Sequence, residues 1–132
     1  MIFVDSNALI AIRNVNHPLH QKALFISRNL AQQRENLITT NIVISEAITI
    51  LAMSVNKALA IQFGEEINSQ RLPIVYIDQR YHQKAWEIFK QVKDKNVSFF
   101  DCTSFAVMRD LEIQKAFSFD KDFQTCGFET LS

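Results

Sequence analysis

Ile2, Phe3 and Val4 form an uninterrupted apolar block that stops at Asp5, the pattern of a short strand buried on both faces. Ser6 or Asn7 offers a cap for a short helix reaching about Ile12. His17-Pro18 starts a second helix, with Leu19, Ala23, Ile26 and Leu30 on one face at helical spacing. Residues 37–39 form a second short apolar run. Thr40 and Asn41 then precede residues 42–53, which are rich in β-branched side chains but too long for a strand, so a helix buried nearly all round is expected. A helix over 56–70 is ended by Leu72-Pro73, and 74–77 reads as a third strand. Tyr81, Ala85, Ile88, Phe89 and Val92 make the stripe of a helix reaching about Asp94, with Lys84, Glu87, Lys90, Gln91 and Lys93 off it. Ser98 begins a helix that ends near Leu111. A strand over 116–119, a helical turn over 121–124 and a strand stub at Phe128 complete the pattern.

Strands that alternate with helices imply an α/β fold with a parallel sheet covered on both faces. At 132 residues, with two glycines, two prolines and no repeat or linker, residues 1–132 read as a single domain. In open sheets of this type ligands bind beyond the carboxyl ends of the strands. The residues just past each apolar run are therefore the place to look for chemistry.

Carboxylates stand there. Asp5 ends the first run, Glu46 interrupts the aliphatic stretch after the second, Asp101 follows Phe99-Phe100, and Asp120 follows Ser118-Phe119. Burying a lone ionised carboxylate costs several kcal/mol, so such groups are paired, protonated or bound to a cation. No Lys or Arg lies within three residues of Asp5, Glu46 or Asp101, so local pairing does not account for them. Convergence on one pocket would make a site for hard divalent cations, which take oxygen ligands and leave positions for phosphate. Two such ions about 4 Å apart activate water and stabilise a leaving oxygen in phosphodiester cleavage.

The sequence around these acids resembles the signature of PIN-domain nucleases. Asp5 lies in Phe-Val-Asp-Ser-Asn, Glu46 in Ile-Ser-Glu-Ala, Asp101 in Phe-Phe-Asp-Cys and Asp120 in Ser-Phe-Asp-Lys-Asp-Phe, and the likeness runs through Gly127-Phe128. Small proteins of this kind look most like VapC-type toxins of toxin–antitoxin pairs. The resemblance implies a PIN-like three-layer fold, with a short, mostly parallel sheet of about four to five strands between helices. It implies an endoribonuclease using one or two Mg²⁺ or Mn²⁺ ions, usually dimeric and held inactive by a cognate antitoxin. Asp5, Glu46, Asp101 and Asp120 would be the catalytic and metal-binding set. Asn7 would orient Asp5 or contact phosphate, and Ser118 would hold a water or a phosphate oxygen. The last motif carries both Asp120 and Asp122; Asp120 follows the strand directly, while Asp122 is placed to cap the next turn.

The charge balance adds little support. Fourteen basic and fourteen acidic side chains cancel, whereas nucleic-acid binders usually carry excess positive charge. Setting aside the four acids leaves 14 basic against 10 acidic groups, with Arg13, Arg109, Lys115 and Lys121 as scattered candidates for RNA contact. Cys102 and Cys126 have no metal-type spacing and read as free thiols of a reducing compartment. With no apolar run near the ~20 residues of a membrane span and no leader at Met1, a cytoplasmic protein is expected. His17 and His20 find no third ligand, and the Phe99, Phe100, Phe105 group reads as core rather than a base-stacking platform. Ile61 and Phe63 are candidates for an exposed dimer face. Two other functions compete: a phospho-acceptor signalling domain, which lacks its early acid pair here, and a PIN-shaped interaction module without catalysis.

Overall fold

The computed structural model describes residues 1–69 and 72–132. Five strands form one sheet: β1 (Ile2–Val4), β2 (Leu37–Thr40), β3 (Ile74–Val75), β4 (Lys115–Phe117) and β5 (Glu129–Leu131). Seven helices flank it among the described residues: α1 (Ser6–Arg13), α2 (His20–Gln32), α3 (Asn41–Ser54), α4 (Lys57–Ser69), α5 (Gln79–Gln91), α6 (Phe99–Asp110) and α7 (Asp122–Thr125). All strand pairings are parallel, in the order β3-β2-β1-β4-β5. The chain winds outward from β1 to β3, then returns to lay β4 on the other side of β1. That reversal creates a switch point between β1 and β4, where Val4 stands beside Phe117 in register.

Strand β1 is wholly buried, as its apolar run requires, and β2 and β4 are buried beyond their first residues; Phe3 and Phe117 are among the most enclosed side chains. Phe105 of α6 packs edge-on against Phe123 of α7 (5.0 Å between centroids) and stacks on Phe128 (5.4 Å), while Phe3 meets Phe123 at 6.4 Å. Gly127, at φ 95°, ends α7: Phe128 N donates to Phe123 O, and the chain turns back into β5. On the opposite side Asp110 of α6 accepts hydrogen bonds from Lys84, Tyr81 and Arg80 of α5. Those three partners hold its carboxyl well below the usual range.

Several boundaries and exposures differ from expectation. Asp5, not Ser6 or Asn7, caps α1, accepting from Ser6 N. The second helix begins at His20 because His17 Nδ1 accepts from Leu19 N and holds the preceding turn. Helix α3 is not buried all round: Ser45, Thr49, Ile50 and Met53 are exposed, since the sheet and α4 cover only part of it. The expected end of the next helix at residue 70 lies outside the described residues. The third strand stops at Val75, the fourth releases the chain at Phe117, and the last begins at Glu129 rather than Phe128. Phe63 is buried in the core, leaving only Ile61 of that pair exposed. Phe105 is core as expected, but Phe99 is half-buried and Phe100 exposed. No described helix is long and apolar enough to cross a membrane.

Phe123 joins the acid-bearing loop after β4 to the core. Phe123→Ala should therefore cost about 3–5 kcal/mol in chemical denaturation. A loss below about 1 kcal/mol would show that this ring does not anchor α7.

Candidate active site

Four structural elements deliver acids to the carboxyl edge of the sheet. Asp5 immediately follows β1, and its backbone N–H donates to Phe117 O of the neighbouring strand (3.1 Å). Glu46 projects from the second turn of α3, whose start is fixed by Thr40 Oγ1 accepting from Val43 N. Asp101 lies in the first turn of α6, where its N–H donates to the capping Ser98 hydroxyl. Asp120 lies three residues beyond β4, and Asp122 opens α7.

Hydroxyl groups connect them. Ser6 N donates to Asp5 Oδ1 (2.8 Å), while the Ser6 hydroxyl donates to Glu46 Oε1. The Ser118 hydroxyl donates to Asp5 Oδ2 (2.7 Å) and accepts from Asp120 N (3.1 Å). Asn7 Oδ1 accepts from Phe119 N (2.9 Å), and its Nδ2 donates to Ser118 Oγ (3.4 Å). One continuous chain of hydrogen bonds thus runs Glu46, Ser6, Asp5, Ser118, Asp120. On the other side, one carboxylate oxygen each from Asp101, Asp120 and Asp122 lie within 4.8 Å of one another.

The expected acids are therefore brought together, with revisions. Asp120 and Asp122 both face Asp101; Asp120 makes the local turn, its Oδ1 accepting from Asp122 N (2.9 Å). Asp122 caps nothing. Ser118 is fully buried and occupied by Asp5, so it is not free to hold a phosphate oxygen. Asn7 braces the loop after β4 rather than Asp5 directly. Ser6 is legible in the sequence only as a cap candidate; its position next to Asp5 gives no sign of a partner forty residues away. Of the scattered cations, Arg13 is ion-paired with Glu66 (2.6 Å) and Lys115 opens β4 at the far edge.

No basic side chain pairs with any of the five acids among the described residues; the ion pairs present use Glu66, Asp110 and Glu87. Crowding shows in the proton affinities. Burial pushes Asp5 up to about 6, against the hydrogen bonds from Ser118 and Ser6 that lower it, with Glu46 and Asp120 adding repulsion. Burial likewise pushes Asp101 up to about 7, followed by repulsion from Asp5, Asp120, Asp122 and Glu46. Asp122 is raised too, first by burial and then by Asp120. An all-oxygen donor set with uncompensated charge fits a hard divalent cation. A mostly apolar cavity of about 750 Å³ under α1, α2 and α4 contains none of these acids.

In metal-free buffer the sign of the pH effect is set by these shifts. Asp5 and Asp101 bind protons more tightly folded than unfolded, so stability falls as pH rises from 3.8, the ordinary value, through about 6 and 7. Asp101→Asn should therefore raise the denaturation midpoint in chelator at about pH 8, by on the order of 1–2 kcal/mol after solvent screening. The gain should vanish near pH 4. A lower midpoint for this variant at the higher pH would contradict the crowding.

The PIN domain family profile matches residues 2–129. Over 128 residues the chain is 32% identical to the 23S rRNA-specific endonuclease VapC20 of Mycobacterium tuberculosis, in strains CDC 1551 / Oshkosh and ATCC 25618 / H37Rv, covering 97% of this chain and 95% of the relative. The crystal structure of M. tuberculosis VapC20, described as a sarcin–ricin loop cleaving toxin, superposes with a TM-score of 0.86 at 29% identity over 97% of this chain and 96% of that one. A whole-chain profile match, a curated relative and the same three-layer architecture agree: this chain belongs to the PIN domain family.

Proposed function

We propose that residues 1–132 form one PIN unit acting as a metal-dependent endoribonuclease, the toxin of a toxin–antitoxin pair. The observation that carries this reading is the meeting of five carboxylates from distant segments, none ion-paired with a basic side chain among the described residues. Asp5, Glu46, Asp101 and Asp120 hold one or two Mg²⁺ or Mn²⁺ ions, and Asp122 adds a donor on the Asp101–Asp120 side. Bound there, the ions supply the positive charge that admits a phosphodiester and the Lewis acidity that activates water. Ser6 aims Glu46, Ser118 aims Asp5, and Asn7 fixes the loop that carries Asp120; these are positioning residues. Ser6, Ser118 and Cys102 are buried away from any substrate, and burial pushes the Cys102 thiol up to about 11, so none of the three is placed as a nucleophile.

The curated relative, which cleaves 23S rRNA by its name, makes the sarcin–ricin loop the first substrate to try. Exposed Ile50 and Met53 of α3 and Ile61 of α4 offer an apolar face for a homodimer, and a cognate antitoxin is the remaining partner. A ribosomal RNA substrate and a cognate antitoxin would both be met in the cytoplasm, which supports that location for the protein.

Cleavage of an RNA carrying that loop should require Mg²⁺ or Mn²⁺ and fall by about 10²-fold or more in Asp5→Asn. Gel analysis of end-labelled RNA reads both. Cleavage that survives chelation and this substitution would end the nuclease reading; tight RNA binding without cleavage under any metal would favour an interaction module.

A further inference from the structure

The face formed by α5 and the start of α6 is strongly aromatic and open to solvent. The Phe99 ring lies 5.1 Å from His82, 5.8 Å from Phe89 and 6.4 Å from Trp86, and Trp86 stacks on Phe89 at 6.0 Å. Trp86 nevertheless remains 45% exposed, Phe89 40% and Phe100 60%. Most phenylalanines of this chain are buried, so this concentration at the surface is unlike the rest of the molecule.

Its location ties it to the acids. Phe100 immediately precedes Asp101 in the first turn of α6, so its exposed ring leaves the backbone one residue away from an acid of the cluster. Cations also concentrate here: residues 82–100 carry Lys84, Lys90, Lys93 and Lys95 against Glu87 and Asp94, in a chain whose net charge is zero. Lys93 and Lys95 are exposed and enter no ion pair among the described residues.

We propose that this face is a subsite for unpaired nucleobases of single-stranded RNA, with Phe100 under the base nearest the acids and Trp86 and Phe89 under bases farther along. The proposal rests on the nuclease reading above and assigns where its substrate is gripped. Stacking suits a protein with little positive charge to spend on phosphates: every base has a π-face, so rings bind single strands without reading sequence. The loop lysines complement the phosphates that pass with those bases.

Trp86 is the only tryptophan in the chain, so its fluorescence reports directly on this face. The probe is a short uridine oligomer, an abasic oligomer of the same length, and a duplex, each titrated with Mg²⁺ into protein carrying Asp101→Asn to block turnover. The uridine oligomer should quench Trp86, while the abasic strand and the duplex bind at least about tenfold more weakly. Phe100→Ala and Phe100→Leu should each weaken uridine binding about tenfold, whereas Phe100→Tyr should keep it near the wild-type value. Being exposed, Phe100 tolerates these changes without loss of folding. Equal binding of abasic and uridine strands, or binding with unchanged Trp86 fluorescence, would overturn the subsite while wild-type cleavage leaves the nuclease reading standing. A Phe100→Ala protein that turns from dimer to monomer at unchanged RNA affinity would also overturn it, marking an interface between copies. Wild-type protein that neither binds nor cuts RNA would remove both readings.

Discussion

Like charge held at close quarters is the constraint on which this structure turns. Five carboxylates occupy one edge of a five-stranded sheet with no basic side chain to balance them among the described residues. Repulsion and burial both oppose that arrangement, as the elevated proton affinities of Asp5 and Asp101 show. The backbone beneath the acids holds them together, aided by hydroxyl donors that the acids themselves require. A rigid frame keeps donors in place for a ligand that is positive.

The frame is built by topology. Parallel strands end on one edge, and the reversal between β1 and β4 leaves a gap at the point where Asp5 and Asp120 emerge. Helices α3 and α6 then bring Glu46, in the second turn of α3, and Asp101, in the first turn of α6, to the same gap. The burial of Phe105 and Phe123 fixes α6 and α7 to the sheet, and Asp110 ties the far end of α6 to α5. The aromatic side of α5 and α6 is held by the same tie, with Phe99 and Phe100 next to Asp101 at the start of α6.

The small hydroxyl residues connect fold to chemistry. The Ser118 hydroxyl serves Asp5 and the Asp120 backbone together, so removing it would leave a buried Asp5 oxygen unpaired, while the Ser6 hydroxyl serves the half-buried Glu46. Their two bonds also fix the spacing between Glu46, Asp5 and Asp120, a spacing that no single element defines.

Much of this is legible in the order of residues alone. Short apolar runs alternating with helical patterns made the parallel α/β class legible, and Asp5, Glu46, Asp101 and Asp120 stood out as acids beside or inside apolar runs, because strand burial and carboxylate desolvation act locally on sequence. Other features depended on contacts between distant segments. The Ser6–Glu46 bond spans forty residues, Ser118 turned inward to Asp5, and Asp122 joined Asp101 because α7 docks through Phe123. Phe63 and Phe100 exchanged their expected places, one into the core and one to the surface. Hydrophobicity states that a side chain prefers burial, but only the packing of one helix against another decides which aromatic ring receives it.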